Sequence, residues 1–268
     1  MIDATQLDSD HPGFADASYR ARRDAIAGAS PLVDGCDPPP VVEYTDDEHA
    51  LWAEVSAALG ERHERYACEE YRRAAAALDL PATVVPQLAD VSARLTDLTS
   101  FRIASVPGLV PTRVFYGSLA DRRFLSTQYL RHGSEPFYTP EPDVIHELVG
   151  HANGLASPRF AALYEAAGRA SARTTTPEEL ERFSRVFWFT MEFGVVREGG
   201  ELRAYGAGLL SSFGEIEAFR DAEVRPWDLD EMAEHSYDIT HFQPVLYCAG
   251  DFATTYERVL EHFESVGR

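Results

Sequence analysis

The chain has 268 residues, of which 45% are hydrophobic and 25% are charged. These fractions are typical of a folded globular protein of one or two domains, and they exclude intrinsic disorder as the main state. The formal charge of -20 disfavours binding to nucleic acid phosphates and to anionic lipid surfaces. No apolar run is long enough to span a bilayer. We therefore expect neither a nucleic acid nor a membrane partner.

The cysteines and the first residues indicate the cellular compartment. Cys36, Cys68 and Cys248 are odd in number and widely spaced, which favours reduced thiols over a disulfide framework or a thiolate zinc site. The acidic start, MIDATQLDSDHPGF, lacks the basic and apolar regions of a secretory signal. The sequence therefore predicts a cytoplasmic protein.

The first half of the chain contains two predicted helical regions. Residues 1–40 are expected to form a loop-rich lead-in that ends in a proline-rich piece. Apolar residues three and four positions apart predict helices within residues 46–78 and over residues 86–98. Between residues 101 and 138, short apolar pieces alternate with Gly and Pro, which indicates irregular or short β structure.

Two helix starts in the second half can be located from capping residues. Ser157 offers an N-cap hydroxyl, and Pro158 follows it at the first helical position. Thr176 and Glu179 have the spacing of a capping box, for a helix expected to run to about Phe193.

The rest of the chain predicts one hairpin and one further helix. Glu198-Gly199-Gly200-Glu201 has the composition of a hairpin turn, and a last helix is expected over residues 251–263. No polar linker separates two apolar patterns, so we predict a single, mostly α domain over residues 1–268.

Two histidines lie five residues apart in the segment HELVGH, at His146 and His151. The segment is similar to the zinc-protease motif HExxH, but there the second histidine follows after four residues. On a regular α-helix, five residues turn by about 500°, which leaves the two imidazoles roughly 140° apart. If both bind one ion, the helix must loosen between them, and Gly150 is the residue expected to permit this.

Glu192 is the candidate for a third ligand. It lies in FWFTMEFG among aromatic and apolar residues, where a carboxylate is costly unless it is paired, protonated or metal-bound. Two histidines and one carboxylate with open positions suit non-haem Fe(II) that binds O2, whereas zinc is disfavoured by the histidine spacing and the lack of cysteine ligands. A zinc hydrolase and a non-catalytic binding protein remain as alternatives.

Several sequence blocks together resemble the catalytic domain of the pterin-dependent aromatic amino acid hydroxylases, especially the small bacterial phenylalanine hydroxylases. The blocks are HPGFADASYRARR, VEYTDDE, RYACEEY, PQLADVS, TQYLRHGSEPFYTPEPD, HELVGH, FWFTMEFG, AYGAGLLSSFGE and FQPVLY. The resemblance implies a helical basket with short β elements. It also implies Fe(II) and tetrahydropterin as cofactors and O2 as a co-substrate.

The resemblance also assigns roles to single residues around the metal and the pterin. His146, His151 and Glu192 would bind the iron. Glu147 would be a catalytic residue beside the pterin and the iron-bound water, without binding the metal itself. Phe115 would stack on the pterin ring. The loop at the edge of the pterin would contribute Val110 and Thr112.

For the amino acid substrate, Arg131 matches the residue that binds the carboxylate, as a guanidinium can do through two parallel hydrogen bonds. Trp188 would form a wall against the substrate ring, and Gly208 would leave room in the pocket. Ser211 would contact the substrate and also serve catalysis by orienting His146. Three further residues match family positions near the substrate. Thr139 would make a polar contact, and Tyr138 and Tyr237 would lie behind the residues that touch the substrate or on a mobile loop.

The implied reaction is hydroxylation of free L-phenylalanine to L-tyrosine. Phenylalanine 3-hydroxylation and hydroxylation of tryptophan or tyrosine are the alternatives, because the sequence departs from the family pattern near the substrate. Ala152-Asn153-Gly154 follows the second histidine where many members have Val-Pro, Phe187 replaces a common Tyr, and Ile239 is an apolar choice at a variable position. Few residues flank the matched region, so a monomer without a regulatory domain or a tetramerisation helix is expected.

Overall fold

The structure is a computed structural model that describes residues 7, 11–30, 35–238 and 241–267. The chain is mostly helical, as predicted. The α-helices are α1 (Ala17–Gly28), α2 (Asp46–Tyr66), α3 (Glu69–Leu78), α4 (Leu88–Thr99), α5 (Thr112–Ala120), α6 (Asn153–Leu155), α7 (Pro158–Arg173), α8 (Pro177–Phe187), α9 (Ala207–Ser211), α10 (Glu215–Ala218), α11 (Leu229–Glu234) and α12 (Phe252–Ser265). Two π-helices, His146–Ala152 and Trp188–Glu192, and a 3-10 turn, Phe219–Asp221, complete the helical part.

The strands are short and form two small sheets. They are β1 (Arg102–Ser105), β2 (Arg123–Ser126), β3 (Val195–Glu198), β4 (Glu201–Ala204), β5 (Glu223–Pro226) and β6 (Val245–Cys248). β1 pairs with β2 in parallel, and the second sheet has the order β4-β3-β6-β5. The hairpin predicted between β3 and β4 is confirmed, and Gly199 and Gly200 have φ values of 60° and 87°. A type I′ turn requires such positive values at both central positions.

The predicted helix caps are confirmed. The Ser157 side chain accepts a hydrogen bond from the backbone N–H of Arg159 at the start of α7. Thr176 and Glu179 form the reciprocal capping box of α8. The helical segment continues to the expected end near Phe193, but it changes from α to π geometry at Trp188.

Two helices of nine or more residues were not predicted from the sequence, nor were the short helices α6, α9, α10 and α11. The first, α1, lies within the segment expected to be loop-rich. Its most buried large side chain is Arg23, which pairs with Glu141. Because a charged residue occupies the buried face, the apolar periodicity that indicates a helix is weak there. The second, α5, lies within residues 101–138. It has nine residues and follows Pro111 without a side-chain cap, so it carries few of the usual start signals.

One large apolar core joins most of the helices. From α2 it receives Trp52, Val55 and Leu59, none of them more than 1% exposed. Leu148 and Val149 of the first π-helix are buried in the same core. The segment with the two histidines is therefore held by packing on its apolar side. The three cysteines are free thiols, as expected. None of the described helices is both long and apolar enough to cross a membrane.

α5 and α7 cross at Gly168. A Cβ atom at this position would lie 2.1 Å from the backbone nitrogen of Ala120 and 2.7 Å from the carbonyl carbon of Leu119. Backbone atoms cannot move aside as the tip of a side chain can. Only a residue without a side chain therefore permits this crossing distance.

We expect Gly168→Ala to lower the free energy of unfolding by about 2 kcal/mol or more, because overpacking against backbone forces the two helices apart. The control is Gly60→Ala on α2, where an added Cβ meets nothing within 4 Å. That change should raise the free energy of unfolding by up to about 1 kcal/mol through helix propensity. Urea unfolding of both variants checks this, and equal stabilities would contradict the close crossing.

Candidate metal centre

The side chains of His146, His151 and Glu192 converge on one point. The two histidine Nε2 atoms are 3.0 Å apart, and Nε2 of His151 is 3.4 Å from Oε1 of Glu192. One donor atom from each residue lies within 4.8 Å of the others. Within the described residues, this is the one group of three such side chains with the spacing of a metal site. The structure therefore brings together the three predicted ligands.

The π-helix explains how two histidines five residues apart can meet. Its hydrogen bonds join residues five apart, as in the bond from the Asn153 N–H to the Leu148 carbonyl. Residues 146 and 151 are then neighbours on one face, which confirms the predicted loosening of the helix. The second π-helix ends at Glu192, and the N–H of Phe193 donates to the carbonyl of Trp188, again five residues away.

Gly150 contributes differently from the expectation. It has no positive φ, but a Cβ atom there would lie 2.7 Å from the carbonyl oxygen of Ala207. Glycine at this position therefore lets α9 pack directly against the π-helix. This close packing brings Ser211, the last residue of α9, to His146.

Ser211 fixes which nitrogen of His146 is free to bind a metal. Its Oγ lies 2.7 Å from Nδ1 of His146 and also donates to the carbonyl oxygen of Ala207 at 2.8 Å. Because a hydroxyl has one proton, Oγ accepts from Nδ1–H of His146. The lone pair of that histidine is then on Nε2, which faces Glu192 and His151.

His151 has a corresponding partner, Tyr164, that was not predicted from the sequence. The hydroxyl of Tyr164, on α7, lies 2.7 Å from Nδ1 of His151, and both side chains are buried. The cap at Ser157 predicts the helix that carries Tyr164, but no sequence signal indicates that its hydroxyl reaches a histidine in another helix.

Burial dominates the electrostatics of the site. It raises the pKa of Glu192 to about 8 and that of Glu147 to about 8, and it lowers the pKa of His146 to about 4. The pKa of His151 is also lowered, by burial and by the neighbouring His146. Glu147 accepts a hydrogen bond from the backbone N–H of Thr127 at 3.3 Å. Neutral imidazoles beside carboxyl groups that resist ionisation form a site whose missing charge a divalent cation would supply.

The donor set therefore fits a ferrous ion. It consists of two imidazole nitrogens and one carboxylate oxygen, without a sulfur donor in the cluster. Non-haem Fe(II) that reacts with O2 is commonly held by such a set, with the other coordination positions open. His146, His151 and Glu192 are the residues that would hold the ion.

The residues expected around the pterin lie on and before α5. Phe115 is half-buried, and its ring centroid is 5.9 Å from that of Phe124, which lies 4.9 Å from the ring of His151. Val110 packs in the same small apolar cluster as Phe115. Thr112 begins α5 and is exposed. Phe115 is therefore one aromatic ring away from the metal ligands.

Arg131 is 4% exposed and forms a bidentate ion pair that the sequence did not reveal. Its Nε and Nη2 atoms donate to the carboxylate of Asp143 at 2.9 and 2.8 Å. Burial alone would raise the pKa of Asp143, but the charge and hydrogen bonds of Arg131 bring it below its ordinary value. Asp143 also accepts the backbone N–H of His146 at 3.1 Å. Arg131 is thus connected to the start of the π-helix.

The other predicted residues are dispersed around these two groups. Thr139 donates to the carbonyl of Glu141 at 2.9 Å, and Tyr138 is 50% exposed. Trp188 begins the second π-helix, and Tyr237 stacks on its indole. A Cβ atom on Gly208 would lie 2.7 Å from the Phe193 ring and 3.1 Å from the carbonyl oxygen of Glu192, so this glycine permits close packing of α9. Ile239 lies outside the described residues.

Comparison with known proteins identifies the family. Residues 2–268 match the model of the biopterin-dependent aromatic amino acid hydroxylases, so the chain belongs to this family. It is 51% identical to phenylalanine 3-hydroxylase of Streptomyces coeruleorubidus, over 88% of this chain and 85% of the relative. It is 40% identical to human phenylalanine-4-hydroxylase, over 98% of this chain and 59% of the relative. The chain thus spans little more than half of the human enzyme.

A solved structure is similar as well. Phenylalanine hydroxylase of Chromobacterium violaceum, with bound iron (III) and oxidised cofactor 7,8-dihydrobiopterin, has a TM-score of 0.82 and 31% identity, covering 90% of this chain and 87% of that chain. The expected hydroxylase fold is therefore confirmed. The zinc-hydrolase alternative finds no support in these comparisons.

We expect Tyr164→Phe to weaken Fe(II) binding about 10- to 100-fold, because His151 loses the hydrogen bond that orients its ring. Calorimetric titration of metal-free protein with Fe(II) under anaerobic conditions measures the affinity. Tyr205→Phe is the matched control, since the Tyr205 hydroxyl is buried and has no hydrogen-bond partner among the described residues. Equal affinities for Tyr164→Phe and Tyr205→Phe would show that the Tyr164 hydroxyl does not support the ligand.

His63 supports the same helix that carries Ser211. Its Nε2 atom donates to the carbonyl of Leu210 at 2.7 Å, its ring lies against Tyr71, and Glu64 is the nearby acidic group. Burial lowers the pKa of His63 to about 4. The neutral form is therefore the one that the folded protein favours.

We expect His63 to make the protein less stable as the pH falls from about 6.5 to about 4, because the unfolded chain binds the proton more readily over this range. The difference in unfolding free energy between wild type and His63→Gln isolates this contribution. The unfolding free energy of the wild type minus that of His63→Gln should fall by about 2 to 3 kcal/mol between pH 6.5 and pH 4. A difference that is constant with pH would contradict the buried, neutral state of His63.

Proposed function

We propose that this protein is an Fe(II)- and tetrahydropterin-dependent monooxygenase that hydroxylates the ring of free L-phenylalanine. The observation that carries the proposal is the convergence of the His146 and His151 Nε2 atoms with Glu192 Oε1 in a buried site. No fourth His, Cys, Asp or Glu side chain joins this cluster in the described part of the chain. Three protein ligands on one side would leave coordination positions for O2 and for water.

The metal and the pterin, when bound, supply the redox chemistry of O2 activation. The side chains of the protein orient the metal ligands and exclude water from the site. Ser211 and Tyr164 orient the two imidazoles. Glu147, buried beside the ligands with its pKa raised to about 8, can hold a proton near neutral pH and act at the pterin side of the site.

The substrate and pterin contacts belong to the same proposal. Phe115 provides a flat aromatic surface for the pterin, one ring away from His151. Arg131 is held rigidly by Asp143 through Nε and Nη2, and Nη1 points to the carbonyl of Pro136 at 3.4 Å. A preorganised guanidinium of this kind suits recognition of the amino acid carboxylate. Trp188 would face the substrate ring.

The ring position is the finer part of the proposal. The sequence resemblance predicts hydroxylation at carbon 4, which gives tyrosine. The 51% identity to a phenylalanine 3-hydroxylase supports carbon 3, which gives meta-tyrosine, as the second candidate. The monomeric state and the cytoplasmic location stay predictions.

The deciding experiment is turnover with 18O2, Fe(II) and tetrahydropterin, offered in turn phenylalanine, tyrosine and tryptophan. We expect one labelled oxygen in a tyrosine isomer formed from phenylalanine, and chromatography against authentic para- and meta-tyrosine assigns the ring position. Glu192→Ala should abolish the product, because a ligand is lost. Glu201→Gln, an exposed carboxylate in the β3–β4 hairpin, is the control and should retain activity. Product formation without pterin, or no product from any of the three amino acids, would contradict the proposal.

A further inference from the structure

Gln243 lies between α11 and β6 and is 6% exposed. A buried glutamine must find partners for its amide oxygen and for both amide hydrogens, or the protein loses stability. The partners of Gln243 are unusual because one of them is the indole of Trp188, the first residue of the π-helix that ends at Glu192.

The whole amide group of Gln243 is engaged. Its Oε1 accepts the indole N–H of Trp188 at 3.1 Å, and its Nε2 donates to the carbonyls of Asp238 and His241 at 2.8 and 3.0 Å. If the oxygen and nitrogen were exchanged, an N–H would face the indole N–H and an oxygen would face two carbonyls. One orientation of the amide therefore satisfies all three contacts.

The backbone of Gln243 is fixed separately. Its N–H donates to Oε1 of Glu215 at 2.6 Å, and Glu215 is buried at the start of α10. The backbone of Gln243 is therefore anchored to α10, and its side chain is hydrogen-bonded to Trp188. Among the described residues, neither Glu215 nor Gln243 forms a hydrogen bond or an ion pair with the three ligands.

The indole of Trp188 has aromatic neighbours in addition to this polar contact. The ring of Tyr237 is stacked on it with a centroid distance of 4.1 Å and an interplanar angle of 9°. Phe193 lies 4.5 Å away at an angle of 34°. Stacking alone lets the indole slide and rotate within its own plane. The hydrogen bond from the indole N–H to Gln243 fixes that rotation.

A cavity of about 310 Å³ lies beside this assembly and is lined by Phe189, Tyr237, Gln243 and Val245 among others. The segment with Tyr237 and Asp238 is therefore not packed tightly on that side. On its other side the segment is held next to Trp188 by the stacking of Tyr237 on the indole and by the directional hydrogen bonds of Gln243.

We infer that Gln243 is a positioning residue that sets the orientation of the Trp188 indole, and thereby the wall against which an aromatic amino acid ring packs. This inference rests on the proposed function, because that function makes Trp188 part of the substrate pocket. If the wall is misplaced, tetrahydropterin would still be oxidised to dihydropterin while O2 is reduced to hydrogen peroxide, and no oxygen would be transferred to the ring. Gln243 therefore affects the yield of hydroxylated product more than the rate of pterin oxidation.

The test compares Gln243→Met, which removes all three side-chain hydrogen bonds, with Gln243→Glu, which keeps the acceptor for Trp188 and loses the two donors. The matched control is Gln87→Met. Gln87 also holds backbone with its amide, donating to the Val42 carbonyl at 2.9 Å and accepting the Val42 N–H at 3.0 Å, but it lies at the start of α4.

Two measurements are made on each variant. The first is steady-state turnover, with the KM for phenylalanine and the ratio of hydroxylated product to pterin oxidised. The second is solvent exchange of the indole N–H signals in 15N-tryptophan-labelled protein. The chain has three tryptophans, and Trp52, which donates to the carbonyl of Pro81 at 2.8 Å, is an internal reference.

For Gln243→Met we expect the KM to rise about tenfold, the product ratio to fall, and the rate of pterin oxidation to change less than twofold. The Trp188 indole N–H should lose its protection from exchange, while that of Trp52 does not change. In Gln243→Glu the Trp188 indole N–H should exchange more slowly than in Gln243→Met, and the KM for phenylalanine should rise less than in Gln243→Met. Gln87→Met should behave as wild type in both measurements.

The inference is overturned if Gln243→Met and Gln243→Glu both keep the wild-type KM, product ratio and indole protection, or if Gln87→Met gives the same changes. If Gln243→Met does not fold, the wild-type exchange measurement decides, because a Trp188 indole N–H that exchanges as fast as a fully exposed indole would show that Gln243 does not hold it. A wild-type protein that turns over no aromatic amino acid would overturn the proposed function instead, and the exchange of the Trp188 indole would still decide whether Gln243 holds it.

Discussion

The π-helical turn between His146 and His151 is the constraint on which the rest of the site depends. On an α-helix these two imidazoles would point roughly 140° apart, whereas here their Nε2 atoms are 3.0 Å apart. The third ligand, Glu192, ends a second π-helix. Short π-helical turns are rare and concentrate at functional sites, where they redirect side chains that an α-helix would separate. Both ligand-bearing segments of this protein use the same departure from α geometry.

The packing of the whole fold keeps these turns in place. Ser211 reaches His146 from α9 and Tyr164 reaches His151 from α7, so the orientation of each ligand depends on where another helix lies. Gly150 and Gly208 allow α9 to approach both π-helices without steric overlap. Because the site is buried, the neutral forms of its histidines and carboxyl groups are favoured until a cation is present. The fold thus creates a polar site that a divalent ion completes.

Local features of the fold were predictable because their causes lie within a few residues. The capping box at Thr176 and the hairpin at Gly199-Gly200 follow from side-chain and backbone preferences. The histidine spacing predicts a loosened helix once both histidines are taken to bind one ion. Tyr164 and Gln243 could not be predicted in the same way, since their hydroxyl and amide groups act on residues in other elements.

X-ray absorption spectroscopy of the Fe(II)-loaded protein tests the central claim most directly. We predict that only nitrogen and oxygen coordinate the iron, with the multiple-scattering signal of two imidazoles, and that the His151→Ala variant loses one imidazole contribution. A sulfur contribution, or a closed tetrahedral shell of four protein ligands, would contradict the account. So would the absence of any imidazole signal.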